Sequence, residues 1–267
     1  MPVSQDIFIK NANFILEILG YEWRFDKNGI CFGLSLEYLL AAKEKKLDDF
    51  FFKKKMICSL SRASFLKIAL HKKSPSHLSF TQDSKSCTLN SLIIFCKKIY
   101  DAHYSQKTSS YKIIMANWEK THCIKIDKSI QKELEQVVLN SGDYFEVSFF
   151  YPYMHSRAFR KNMESNGYYY FDPDIGEEKY AKNIKELISH LCSYVNAQKD
   201  IEKDQCYINV SALTYGNYQS SLIRYIESVN TFNVSSFDKN WEKMIAPAYE
   251  NFKRGKISRN SLYMAMN

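Results

Sequence analysis

The 267-residue chain is predicted to fold as an α+β protein, on three observations. The stretch that follows Cys31 (Leu34, Leu36, Tyr38, Leu39, Leu40, Ala41, Ala42) is apolar on nearly every side, the mark of a helix buried in a core. Aromatic and β-branched runs bounded by turn residues lie between residues 144 and 172 and read as strands. Helical patterns come first and strands later, an order that suits helices packed on an antiparallel sheet.

Taken in order, residues 7–19 carry apolar residues at helical spacing and should form a helix ending at Gly20. Asn28-Gly29 reads as a turn. The helix from Cys31 ends at Lys43-Glu44-Lys45-Lys46, where cations suit the negative end of the dipole. Two or three helices are expected between residues 48 and 104, broken at Ser74-Pro75-Ser76 and at 81–86. Residues 144–151 form a strand, and 155–161 with 168–172 a hairpin whose loop is 162–165. A helix at 184–195 and a strand at 206–213 follow. Residues 218–229 and 241–252 are expected to be helices; the second puts Trp241, Met244, Ile245, Ala248, Tyr249 and Phe252 on one face, with Pro247 as a kink or restart. The main domain is placed at residues 1–215, and 216–267 is a helical C-terminal extension packed on it.

Composition narrows the class. Hydrophobic residues at 45% and charged residues at 25% suit a packed globular domain. Eight Gly and five Pro exclude collagen-like and low-complexity chains. Asp6, Lys10 and Glu17 interrupt the first twenty residues, so no signal peptide is expected. No apolar run approaches the ~20 residues of a membrane span. The seven cysteines have irregular spacing and no C-x-x-C pair, so neither a disulfide framework nor a metal site is expected, and a reducing compartment suits them. No cofactor motif is found. The net charge of +8 is concentrated in Lys43–Lys73, with ten Lys/Arg against three acids. That segment reads as a solvated basic face, with weak contact to an anionic membrane surface as the alternative. Nucleic-acid motifs are absent, and a monomer is expected.

Chemistry concentrates in two places. Gly29-Ile30-Cys31-Phe32-Gly33-Leu34-Ser35 puts a cysteine after a turn and at the start of a buried helix. A thiolate there sees the positive end of the dipole and unpaired backbone N–H groups, which can also cradle an oxyanion. Gly29 and Gly33 would let a substrate backbone come close. The second place is His155-Ser-Arg-Ala158 followed by Phe171-Asp172-Pro173-Asp174-Ile-Gly176-Glu177. With the loop at 162–165, His155 is expected directly opposite Asp172, so that the carboxylate orients the imidazole.

Together these segments resemble the nucleophile, His and Asp motifs of the YopT-type cysteine proteases, the group that includes YopT and AvrPphB, over residues 20–195. The resemblance implies a papain-like fold, with the nucleophile helix packed on the antiparallel sheet. It implies Cys31 as nucleophile, His155 as base and then acid, and Asp172 as orienter. It also implies a bacterial effector that cleaves a host protein in the host cytosol. The chain departs from the pattern in three places. Tyr38 stands where the family commonly has Trp, at a position read as core packing. Asp174 replaces the Asn after Asp-Pro and is a second candidate orienter. Of the residues just upstream of the cysteine, Asp26 cannot donate when ionised, and Asn28 is the candidate side-chain oxyanion donor. The same triad would also serve glutamine deamidation, transglutamination or acyl transfer. A catalytically silent binding protein is the reading from a different class.

Overall fold

The computed structural model of the chain describes residues 4–26, 29–70, 77–105, 121–125, 130–150, 155–197 and 207–212. Asn28, the helices expected at 218–229 and 241–252, and the domain boundary at 215 lie outside the described residues.

Helix α1 (Gln5–Ile18) buries Phe8, Ala12, Ile15 and Leu16, and ends at Gly20, whose φ of 78° suits glycine. Helix α2 (Cys31–Lys43) is buried from Cys31 to Ala41, as its all-round apolar sequence predicts. Three helices then occupy the region where two or three were expected: α3 (Leu47–Ser59), α4 (Arg62–Leu70) and α5 (Leu89–Ser105). The interruption at 81–86 is more than a break. Strands β1 (Ser79–Gln82) and β2 (Lys85–Thr88) form a hairpin there, turned by Asp83 and Ser84 at φ 52° and 64°.

A six-stranded sheet follows, formed by β3 (Thr121–Lys125), β4 (Tyr144–Phe150), β5 (His155–Lys161), β6 (Tyr168–Asp172), β7 (Glu177–Ala181) and β8 (Tyr207–Ala212). Its order is β3-β8-β4-β5-β6-β7, with every pairing antiparallel. Helices α6 (Ile130–Asn140) and α7 (Ile184–Ala197) are the remaining elements among the described residues. Strand alternation sends Ala158 and Phe171 to a core shared with α1, α2, α3 and α5. The other face sends Phe145, Val147, Phe159 and Tyr170 to a second core, closed by Leu134 and Val138 of α6 and Leu187, Ile188 and Leu191 of α7. The described chain is thus a mixed helix-and-sheet fold with antiparallel sheets, covered by helices on both faces of the larger one.

Gly33 has a different task from the one its sequence position suggests. It lies against α5 rather than beside an open groove. A Cβ added there would sit 2.3 Å from the Ile99 carbonyl oxygen and 2.9 Å from the His103 Cβ. The backbones of α2 and α5 meet through this gap, and backbone cannot yield as a flexible side chain can. Gly33→Ala is expected to cost about 1–3 kcal/mol through overpacking. Thermal unfolding measures it; an unchanged midpoint would mean that the two helices are not in this contact.

The basic segment from Lys43 is partly neutralised. Lys46 pairs with Glu44 at 2.8 Å, Lys53 with Asp49 at 2.7 Å and Lys55 with Asp83 at 2.6 Å. Lys54 is 1% exposed and donates to the Gly176 carbonyl at 3.2 Å. Lys72 and Lys73 lie outside the described residues. Among the described residues no helix is long and apolar enough to cross a membrane.

Candidate active site

Cys31 opens α2, as its position after Gly29 predicts. Gly29 takes φ 107°, a conformation that favours glycine, and turns the chain into the helix. The first intrahelical bond runs from the Leu34 N–H to the Ile30 carbonyl at 3.0 Å. The N–H groups of Cys31, Phe32 and Gly33 therefore have no acceptor within the helix and point toward its N-terminal end.

The hairpin that carries His155 and Asp172 is set two residues away from the expected register. Its last pairs are Ala158 with Phe171 and Lys161 with Tyr168, so the ladder extends to Arg157, not His155, opposite Asp172. The reason is the loop, which runs from Asn162 to Gly167 rather than to Ser165. The Asn162 N–H bonds the Gly167 carbonyl at 2.9 Å, the Glu164 N–H bonds Asn162 Oδ1 at 3.0 Å, and the Gly167 N–H bonds Ser165 Oγ at 3.2 Å. A shift of two keeps every side chain on its face. His155 therefore still reaches Asp172, along the diagonal, with Nε2 3.1 Å from Oδ1.

Arg157 takes the place opposite Asp172. Its guanidinium lies 2.6 Å from Asp172 Oδ2 and 5.7 Å from the Phe149 ring. Asp172 Oδ1 also accepts the Asp174 N–H at 3.1 Å. Burial works to raise the Asp172 carboxyl, but the His155 hydrogen bond and the Arg157 charge hold it below its ordinary value. The Cys31 thiol hydrogen-bonds the same imidazole. Burial pushes His155 down, yet the hydrogen bonds to Asp172 and Cys31, with the charges of Asp174 and Asp172, raise it from 6.5 to about 9.

The sign of this shift gives a pH prediction. A raised histidine stabilises the fold fully below its ordinary value of 6.5 and loses that contribution as pH rises through about 9. The difference in unfolding free energy between the protein and His155→Gln should shrink across that window. A difference that stays constant up to pH about 10 would mean that no such ring charge is held in the fold.

Asp174 also lies at the site. Its Oδ2 lies 3.4 Å from His155 Nδ1, so carboxylates flank both ring nitrogens. Its side chain is 49% exposed, against 3% for that of Asp172, and burial is the first cause of its raised carboxyl. Gln5, in the first turn of α1, hydrogen-bonds Asp174 Oδ1 and accepts the Ile30 N–H at 3.0 Å. His155, Asp172 and Asp174 each offer a ligand atom within 4.8 Å of the others. With Arg157 on Asp172 and hydrogen bonds on both sides of the ring, the set suits a proton network better than a metal.

Two further groups escape a reading of the sequence. Glu146 of β4 is 1% exposed and accepts Ser156 Oγ at 2.6 Å and Ser148 Oγ. Burial lifts its carboxyl to about 7. Ser35, one turn beyond Cys31, donates to the Ser156 carbonyl at 3.1 Å, tying α2 to the strand of His155. Tyr38 is core, as expected, and stacks on Phe171 with centroids 4.9 Å apart. Its hydroxyl also has work: it bonds Glu178 and accepts from Arg160 Nε at 3.1 Å.

The structure brings Cys31, His155 and Asp172 together in one network. They are well covered in this form: Cys31 is 8% exposed, His155 5% and Asp172 2%.

No family model matches the chain, and no curated protein matches it. Among solved structures, the chain is similar to the crystal structure of the Pseudomonas avirulence protein AvrPphB. Identity is 16% and the TM-score 0.39, over 70% of this chain and 93% of that one. The likeness is distant.

Proposed function

We propose that the chain is a thiol protease of papain-like design, with Cys31 as nucleophile, His155 as general base and acid, and Asp172 as orienter. One observation carries the reading: a buried imidazole bonded to a carboxylate at 3.1 Å also bonds a thiol at a helix N-terminus. In the proposed reaction His155 takes the proton of the Cys31 thiol. The sulfur attacks a peptide carbonyl, and the imidazolium protonates the leaving amine. His155 then takes a proton from water, which hydrolyses the thioester. Asp172, fixed by Arg157 and the Asp174 N–H, keeps Nε2 engaged, so the catalytic proton moves at Nδ1. Asp174 beside Nδ1 is a second carboxylate that substrate would have to share or displace.

The substrate would be a polypeptide, most simply a host protein met in a reducing cytosol by a delivered bacterial effector. Cys31, Cys58, Cys87, Cys96 and Cys192 are in no disulfide, which suits that compartment. Deamidation, transglutamination and acyl transfer use the same three residues and differ in the acceptor. Expression of wild type and Cys31→Ala in host cells, followed by mass spectrometry of new protein N-termini, tests the reading. N-termini that depend on Cys31 support hydrolysis. Mass shifts of glutamine without cleavage would replace it with a modifying enzyme, and no difference between the two would leave a binding protein.

A further inference from the structure

Ser156 follows His155 in β5 and is held from two sides. Its hydroxyl donates to Glu146 Oε1 of β4 at 2.6 Å. Its carbonyl accepts the Ser35 hydroxyl of α2 at 3.1 Å. Ser148 donates to the same Glu146 oxygen. Ser35, Glu146 and Ser156 are all buried. The β4–β5 register pairs Glu146 with Ala158 and Ser148 with Ser156, so these four side chains share the face that Ala158 turns to the core around α2. His155 pairs with Phe149, one step out of phase. The carboxyl therefore works through Ser156 rather than on the ring. The place matters because His155 is the first residue of β5. Register with β4 runs to His155, whereas register with β6 ends at Ala158. An apolar side chain would fill the same space without the cost of burying a carboxyl, which burial lifts to about 7 here. What the carboxyl adds is direction: two hydroxyls bound to one oxygen.

We infer that Glu146 is a positioning residue for the proposed reaction: through Ser156 it fixes where the His155 imidazole stands relative to Asp172 and to α2. This rests on the thiol-protease reading above. The brace runs from Glu146 to the Ser156 hydroxyl, and from the Ser156 carbonyl to Ser35 of the nucleophile helix. Ser156 shares a peptide bond with His155, so rotation of the backbone at Ser156 swings the ring. With its hydroxyl and its carbonyl both pinned, that rotation is closed, and the ring stays on Asp172 at 3.1 Å. Proton transfer depends on such alignment, and a misplacement of about 1 Å can cost about 10²-fold in rate. Ser148 serves the same carboxyl oxygen from β4, but its own strand does not carry the imidazole. It holds Glu146 without steering the ring.

The test compares two hydroxyl deletions at one oxygen. Isotope-labelled, full-length wild type is set beside Ser156→Ala, Ser148→Ala, Glu146→Ala and Glu146→Gln. The signal read is the His155 ring N–H in a proton–nitrogen correlation spectrum, assigned among the six histidines by its loss in His155→Gln. An ionised Asp172 only accepts, so the proton of this bond is on Nε2. Each serine variant loses one hydrogen bond to Glu146, and denaturant unfolding should record similar losses of stability in the two. The ring signal should be shifted or broadened in Ser156→Ala and Glu146→Ala, and unmoved in Ser148→Ala. Glu146→Gln should restore it, because the amide oxygen still accepts both hydroxyls. On a polypeptide whose cleavage depends on Cys31, Ser156→Ala should lower kcat about 10²-fold with KM kept. A ring signal unmoved in Ser156→Ala, or moved equally by the two serine variants, would overturn the inference, since the network would then only stabilise the fold. An unchanged kcat would overturn it too. Cleavage independent of Cys31 would instead overturn the protease reading, while the ring signal, read without substrate, decides separately whether Glu146 holds His155.

Discussion

Cys31→Ala and His155→Ala should each abolish hydrolysis, with losses of about 10⁵–10⁶-fold in kcat/KM, because residues that share one proton fail as a unit. The double variant should be no worse than either single one. Asp172→Asn should cost about 10⁴-fold, since an amide can hold the imidazole in the wrong tautomer. Initial rates on any polypeptide whose cleavage depends on the wild-type protein measure these losses. Full activity in Cys31→Ala would remove the mechanism, and additive losses in the double variant would mean that the two residues act separately.

Arg157→Met should give the largest effect on stability. Arg157 is 8% exposed and Asp172 2%, so removing the cation takes one charged partner from a carboxylate held out of water and leaves it the His155 ring at 3.1 Å. With that partner kept, the loss falls at the low end of the range for breaking a buried pair, about 3 kcal/mol at neutral pH. The sign against pH follows from the Asp172 carboxyl, which lies below its ordinary value of 3.8. Its contribution is present above that value and disappears as pH falls through the lower folded one. The gap between wild type and variant should therefore narrow in acid. Denaturant unfolding at pH about 7, and then stepwise downward from 3.8, measures the narrowing. A cost below about 1 kcal/mol at neutral pH would place Arg157 among weak surface-type pairs.

Local patterns made α2 and the strands at 144–172 legible. An all-apolar helix has no other home than a core, and aromatic runs between turns have few alternatives to strands. Edge strand β7 was not legible, because Glu-Glu-Lys-Tyr-Ala buries only its last residue. The β1–β2 turn carries Asp83-Ser84 in place of the Asn-Gly or Asp-Gly that announces such hairpins. Helix α6 shows only a short amphipathic pattern, in Leu134, Val137 and Val138, within an otherwise polar stretch. At the site, residue types were legible and distances were not. The loop at 162–167 hides its length until its hydrogen bonds are known, so the register was off by two. Arg157 sat inside the His155 motif as an unremarked position. Gln5 had no local signal, because only tertiary packing brings the first turn of α1 to Gly29.

The Gly33 contact also governs how the molecule can open. With the α2 and α5 backbones touching at Ile99, neither sliding nor rotation of one helix against the other has room, so both move as one rigid block that carries Cys31. The contact between Gln5 of α1 and Asp174 in the turn after β6 is of another kind, a single exposed polar bond with no backbone locked behind it.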